Sequence, residues 1–227
     1  MLKRFNRFTP AAWFADLLQA AAPGDDRSAS YNLGPGHMAL AALRAPSAHV
    51  ELKPLRWGLV PPWSEDAAVG ARMTNARIET IETKPAYRDA FAGRRCLVPA
   101  DGYYAWRVRN DGRTQPYFVH LKDREPFCFA GLWSCNERIE GQPVYTFSVL
   151  TRDALPCVKE IQNRMPLVLD RAYHAVWLDP AQCDAQALRA LAREGSRVAL
   201  EAYPVSRRVD SLRNNDANLI ERIAAVS

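Results

Sequence analysis

No apolar run in these 227 residues approaches the roughly 20 needed to cross a bilayer. The basic start, Met1-Leu2-Lys3-Arg4-Phe5-Asn6-Arg7, is not followed by a secretory apolar core, because Asp16 interrupts what comes next. The cytoplasm is the expected compartment, with no membrane partner. The cysteines, Cys96, Cys128, Cys135, Cys157 and Cys183, are odd in number and never spaced C-x-x-C. That spacing argues against a zinc site and against a disulfide framework. Reduced, mostly buried thiols are expected instead. His37, His49, His120 and His174 form no metal-binding spacing, so neither metal nor cofactor is expected. Repeats, low-complexity segments and linkers are also lacking, and the 16 prolines are spread along the chain. One domain over residues 1–227 follows.

What is present describes an ordinary globular protein, 48% hydrophobic and 24% charged. A net charge of +5 and a sequence pI of about 9.1 mildly favour a polyanionic partner.

Trp13, Phe14, Leu17, Leu18 and Ala21 share one helical face, so Ala11 to Ala22 reads as a helix with Thr9 as N-cap. Residues 25–30 read as a polar loop. Tyr31-Asn32-Leu33-Gly34-Pro35-Gly36 reads as a tight loop making a close approach, since Pro35 removes a phosphate-binding N–H. Residues 49–60 read as a strand. Trp63, behind Pro61-Pro62, either stacks on a ligand or plugs the core edge.

A short helix starts near Pro85. Strands follow at 104–108, 116–121, 127–133 and 144–151, the first two joined by Asn110-Asp111-Gly112, the last three reading as an antiparallel meander. Helices are expected at 153–161, 170–178 and 184–194, and strands at 165–169 and 198–204. Residues 206–223 are polar. The fold class is α+β, with strands in the middle and helices at the flanks.

Arg94-Arg95-Cys96-Leu97-Val98-Pro99-Ala100-Asp101-Gly102-Tyr103-Tyr104-Ala105-Trp106 organises the chain. It reads as strand, sharp turn, strand, with Tyr103, Tyr104 and Trp106 near a cleft.

That stretch, with Arg4-Phe5, Tyr31 to Gly36, Arg56 to Trp63, Asn75 to Thr80, Asn163 to Leu169 and Pro204-Val205-Ser206, resembles the SRAP (abasic site processing) family. The motifs occur in the family's order and cover nearly the full chain. The resemblance implies an irregular antiparallel β-barrel flanked by helices, acting as a monomer, with a basic channel for single-stranded or abasic DNA. It further implies a role in the DNA damage response, nucleoid-associated when bound. In the family, removal of the initiator Met exposes a Cys. Its amine and thiol capture the abasic aldehyde as a thiazolidine, while a Glu and a His handle protons.

This chain departs from that pattern. Leu2 stands in place of the Cys and implies that Met1 is retained. Ala105 stands for the Glu, Gln162 for the His, and Asn163 for the usual Asp. Alanine exchanges no protons, and glutamine is neither acid nor base near neutral pH. The DNA-positioning set, Arg4, Pro35, Gly36, Trp63, Asn75, Arg77 and Arg164, matches. The bland alternative for Arg77 and Arg164 is an ion pair with Glu79 or Asp101. His37 is a minor DNA-contact candidate.

Three functions compete on these grounds. One is a degenerate member that binds DNA without crosslinking it. Another is a Schiff-base lyase working through the Met1 amine. The third is a scaffold protein that has lost DNA.

Overall fold

Side chains alternate across a strand, and the segment Arg95–Ala100 uses both faces. Cys96, Val98 and Ala100 enter one apolar cluster, while Leu97 enters another. The chain is layered around this doubly buried strand.

The computed structural model describes residues 1–21, 29–45, 49–139 and 141–224. The strands are β1 (Arg4–Arg7), β2 (Ala20–Ala21), β3 (Ser30–Leu33), β4 (Met38–Arg44), β5 (Val50–Trp57), β6 (Asn75–Arg77) and β7 (Arg95–Ala100). They continue with β8 (Gly102–Val108), β9 (Thr114–Leu121), β10 (Phe127–Asn136), β11 (Val144–Asp153), β12 (Arg164–Pro166), β13 (Val168–Leu169) and β14 (Leu200–Pro204). The helices are α1 (Ala11–Leu18), α2 (Pro85–Gly93), α3 (Pro156–Lys159), α4 (His174–Leu178) and α5 (Ala185–Glu194).

Strands β5, β4, β7, β10 and β11 pair in turn as antiparallel neighbours. A parallel pairing of β11 with β5 closes them into an irregular barrel. A second, antiparallel sheet runs β14–β9–β8–β1–β3. Between them lies a cluster containing Leu2, Phe5, Trp57, Ala105, Phe129, Phe147 and Met165. On the barrel's outer side, Phe14, Phe91, Trp177 and Leu188 bring four helices onto Leu97, Cys128 and Leu150. The second sheet's outer face carries Tyr104 and Phe118, covered by Tyr203, Val205, Val209 and Leu219. Each such buried side chain contributes about 1.5–3 kcal/mol of transfer free energy.

The α+β architecture agrees with expectation; several details differ. The meander breaks between β9 and β10, because β9 pairs with β8 and β14 while β10 pairs with β7 and β11. The first helix ends at Leu18, where Gln19 turns left-handed at φ +49° and Ala20–Ala21 join β5. Ala22 and residues 25–28 of the expected loop lie outside the described residues, and Ser30 opens β3. Thr9 does not cap α1, because its hydroxyl goes to Asp101.

Only Pro156–Lys159 of the helix expected at 153–161 is helical, and Asp153 ends β11. The strand at 165–169 splits into β12 and β13, and 170–178 is a 3-10 turn leading into α4. Asp184 caps α5, its carboxylate accepting from the Gln186 N–H at 2.9 Å. Cys96 and Cys128 are buried, but Cys135 is half-buried and Cys157 and Cys183 are exposed, so the thiols are less buried than expected. Tyr103 and Tyr104 are both 0% exposed: they are core, not cleft.

Candidate functional site

Strand β11 gathers the site. On one edge it pairs with β6, setting Thr151 beside Arg77 and Val149 beside Asn75. On its other edge β12 sets Asp153 beside Arg164. Asn75 and Arg77 on one side, and Arg164 from far along the chain on the other, therefore flank one strand.

The N-terminus threads into the same place. Asn75 Nδ2 donates to the Leu2 carbonyl at 2.9 Å and to Thr74 Oγ1 at 3.0 Å. The Tyr87 hydroxyl donates to the Asn75 carbonyl at 3.4 Å. The Leu2 side chain is 1% exposed and shares its apolar cluster with Ala105, which is 0% exposed. Met1 stays out, 57% exposed. Its ammonium is held below the ordinary 8.0, first by partial burial, then by the positive charges of Lys3, Arg164 and Arg77.

Arg164 is the tied member of the pair. It meets Glu79 at 2.8 Å and Asp153 at 2.9 Å, and donates to the Thr151 carbonyl at 2.9 Å. Arg77 is exposed and makes no ion pair among the described residues. Asp101 pairs with neither arginine: it accepts from the Phe8 and Thr9 N–H groups at 2.6 and 2.9 Å. Besides Arg4 Nε, three buried polar atoms of the expected residues, Asn75 Oδ1, Gln162 Nε2 and Arg164 Nε, have no hydrogen-bond partner among the described residues. An acceptor and two donors without partners on these residues suit a polar ligand.

The other expected residues lie in separate places. Arg4 donates to the Lys3 carbonyl at 2.8 Å, and the Asp210 carboxylate is the opposing charge that acts on it. Gly36 adopts φ +84°, and its N–H donates to the Trp57 carbonyl at 2.7 Å. Beside it, Pro35, Gly36, Arg56 and Gly70 line a cleft of about 200 Å³. His37 is half-buried next to that loop.

Trp63 is 58% exposed and does not plug the core. It borders a cleft of about 270 Å³ with Pro62, Pro85, Arg94 and Arg138. Its loop is braced by Asn136 Nδ2, which donates to the Pro61 and Ser64 carbonyls at 2.6 and 2.8 Å. Gly58, at φ +128°, lies so near Gly70 that a Cβ would stand 2.6 Å from the Gly70 carbonyl oxygen.

Sequence reasoning missed Lys3, Thr151, Tyr87 and Asp153. Lys3 was legible as part of the basic start; the others depend on the pairing of β6 and β12 with β11. Among the described residues no cluster of His, Cys, Asp or Glu could hold a metal, and no helix is long and apolar enough to cross a membrane.

A family model described as SOS response associated peptidase (SRAP) matches residues 1–212. The chain is 36% identical over 222 residues to the abasic site processing protein YoaM of Bacillus subtilis, covering 95% of this chain and 97% of that one. It is 32% identical over 218 residues to the abasic site processing protein HMCES of Gallus gallus, covering 82% of this chain and 64% of that one. A crystal structure of a protein from Bacteroides thetaiotaomicron superposes with a TM-score of 0.83 over 97% of this chain and 99% of that one, at 23% identity, which speaks for the fold.

Proposed function

This chain belongs to the SOS response associated peptidase (SRAP) family, and from that premise we propose that it binds single-stranded or abasic DNA without crosslinking to it. The observation that carries the reading is the composition of the site around β11. Its positioning side is furnished: Arg77 is free to meet phosphate, and Asn75, Gln162 and Arg164 carry buried polar atoms without partners. Its reacting side is apolar: Leu2 and Ala105 are packed into the core, where neither thiol nor carboxylate is supplied. Trp63 adds an exposed ring for a base. Such binding belongs in the cytoplasm, on damaged DNA.

The test is incubation with single-stranded DNA carrying one abasic site, run on native and denaturing gels. A native shift that vanishes on denaturation is expected, with affinity falling steeply with salt. A DNA–protein band that survives denaturation overturns the reading.

A second reading is favoured by one observation, the lowered pKa of the Met1 amine beside Arg77 and Arg164. More of that amine is neutral near pH 7 than an ordinary terminus would be, and only the neutral form attacks a carbonyl. Addition to the aldehyde and loss of water give an imine, which acidifies the neighbouring carbon and leads to β-elimination of the strand. Borohydride reduces the imine to a stable secondary amine. No trapped species with abasic DNA removes this reading.

A further inference from the structure

Helix α5 ends in a run of arginines. From Ala185 to Arg197 the chain carries Arg189, Arg193 and Arg197 against one acid, Glu194. Arg189 is paired with Glu82 at 2.6 Å. Arg193 and Arg197 are exposed and make no ion pair among the described residues. A further guanidinium joins them: Arg152, on β11, donates to the Ser196 hydroxyl, which donates in turn to the Arg193 carbonyl at 3.3 Å. Burial lowers the pKa of Arg152; Asp153 and Glu79 oppose the fall, while Arg193 and Arg197 add to it. Both of those acids are already engaged by Arg164. One cation in the last turn would answer the helix dipole, and this end gathers more than that.

A groove opens beside these arginines. Its first part, about 440 Å³, is walled by Leu155, Pro156, Val198, Ala199 and Leu200, and Arg197 is the sole charged residue on its described lining. Leu155, Val198 and Leu200 belong to the apolar layer between the two sheets, so the groove lays open an edge of the core. The second part, about 670 Å³, shares Arg197, Val198 and Ala199 and continues over Leu121, Phe127 and Val168. There Lys122, Arg171 and Arg197 are matched in number by Asp123, Glu125 and Asp170. Glu125 is further tied to Arg171 at 3.0 Å, and Asp170 accepts from the Ala172 N–H at 2.9 Å. The groove is therefore apolar-walled, positive at its α3 end and balanced at the other.

We propose that this groove is a docking site for an acidic peptide of a partner protein, its carboxylates meeting Arg193 and Arg197 and an aliphatic side chain filling the cleft between Leu155 and Val198. Such docking does not depend on DNA being bound at the β11 site. Charge complementarity selects the occupant, since a carboxylate accepts two parallel bonds from a guanidinium. Single-stranded DNA brings the same charge, but its bases need rings to stack on. Phe127, 2% exposed, is the only aromatic residue on the described lining of either part. The backbone of duplex DNA presents phosphates and nothing aliphatic to fill the cleft. A groove bordered by α3, the 121–127 turn and residues 197–200 suits an extended chain, which lays its side chains into apolar pockets.

Fluorescence anisotropy with the full chain tests it. The probe is a fluorescein-labelled hexapeptide, Asp-Asp-Leu-Asp-Leu-Phe. Two controls replace either its aspartates by asparagine or its Leu and Phe residues by serine. Wild type should bind the probe with a Kd in the tens of micromolar and each control at least about tenfold more weakly. Arg193→Gln combined with Arg197→Gln should weaken probe binding by about tenfold. Ala199→Glu, which puts a carboxylate on the groove wall, should weaken it at least as much. All three positions are exposed, so unchanged melting temperatures are expected for both variants. Both should bind abasic single-stranded DNA as wild type does.

No binding of the probe by wild type overturns the docking site. Equal binding of either control also overturns it, as does a probe affinity that neither variant changes. A loss confined to DNA in the arginine variant assigns Arg193 and Arg197 to a nucleic-acid surface and overturns the peptide site as well.

Discussion

The amide of Asn75 grips the backbone carbonyl of Leu2 at 2.9 Å, so the chain's second residue is held by one expected to position a ligand. The grip and the buried Leu2 side chain are two halves of one arrangement: the backbone is fixed and the side chain is committed to the core. Four consequences can be measured.

Truncation of Leu2 to alanine removes a buried side chain from a packed cluster. A loss of about 2–3 kcal/mol is expected, toward the low end for such sites because the neighbouring N-terminus relaxes easily. Urea unfolding with an unchanged m-value checks it. A loss near zero means that Leu2 is not packed as described.

Ala105→Glu alone places a carboxylate in an apolar cluster without a partner. It should destabilise by about 3 kcal/mol or more at neutral pH. The deficit should shrink on acidification, because burial raises the carboxyl pKa and the protonated form is cheaper to bury. Combination with Leu2→Cys and Gln162→His should cost less than the sum of the three single changes, since neighbouring changes in one cluster couple. Strict additivity in a mutant cycle counts against a shared pocket.

Glu79→Gln releases one of the two carboxylates that hold Arg164. The pair is partly exposed, so stability should fall by no more than about 1 kcal/mol. DNA affinity should rise about two- to fivefold as the guanidinium becomes available to phosphate. An affinity that falls would show that Glu79 orients Arg164 rather than competing for it.

Burial lowers the pKa values of both His120 and His174 from the usual 6.5. A lowered pKa in the folded state means that the unfolded chain binds more protons as pH drops below about 6.5. Stability should therefore be held above that pH and decline below it. At His174 burial outweighs the opposing pull of the Leu169 carbonyl, which its Nε2 meets at 3.0 Å inside the helix layer. Thermal melts of wild type and His174→Gln at pH 7.5 and 5.5 test it; an unchanged pH dependence in the variant removes His174 as the cause.

The sequence made most of the strands legible, the one at 95–100 through its short continuous apolar run, although its burial on both faces was not read from it; it made Trp63's exposure an open question that its two prolines did not settle. The break between β9 and β10 was hidden, because a short polar link looks alike whether the next strand pairs or crosses to another sheet. Ala105 was legible as an unusual residue, but its complete burial followed only from Leu2 lying in the same cluster. The Glu79 partner of Arg164 was among the stated alternatives; Asp153 was not, since it was placed in a helix rather than at the end of β11. That β8 and β9 run on beyond their pairing with β1 and β14 reflects where β1 and β14 end, which no local pattern along residues 102–121 records.

The burial of Leu2 also sets an order of assembly. The first strand leaves the ribosome before anything it can pair with. Its partners are β3, at residues 30–33, and β8, beyond residue 100. The cluster that receives Leu2 is finished only by Met165, Val168 and Leu200. The Leu2 side chain must therefore wait for its complete cluster until most of the chain has been synthesised, even though β3 is on hand early. Closing such long loops is slow compared with local helix formation. An N-terminal fusion would have to be threaded through that same late step.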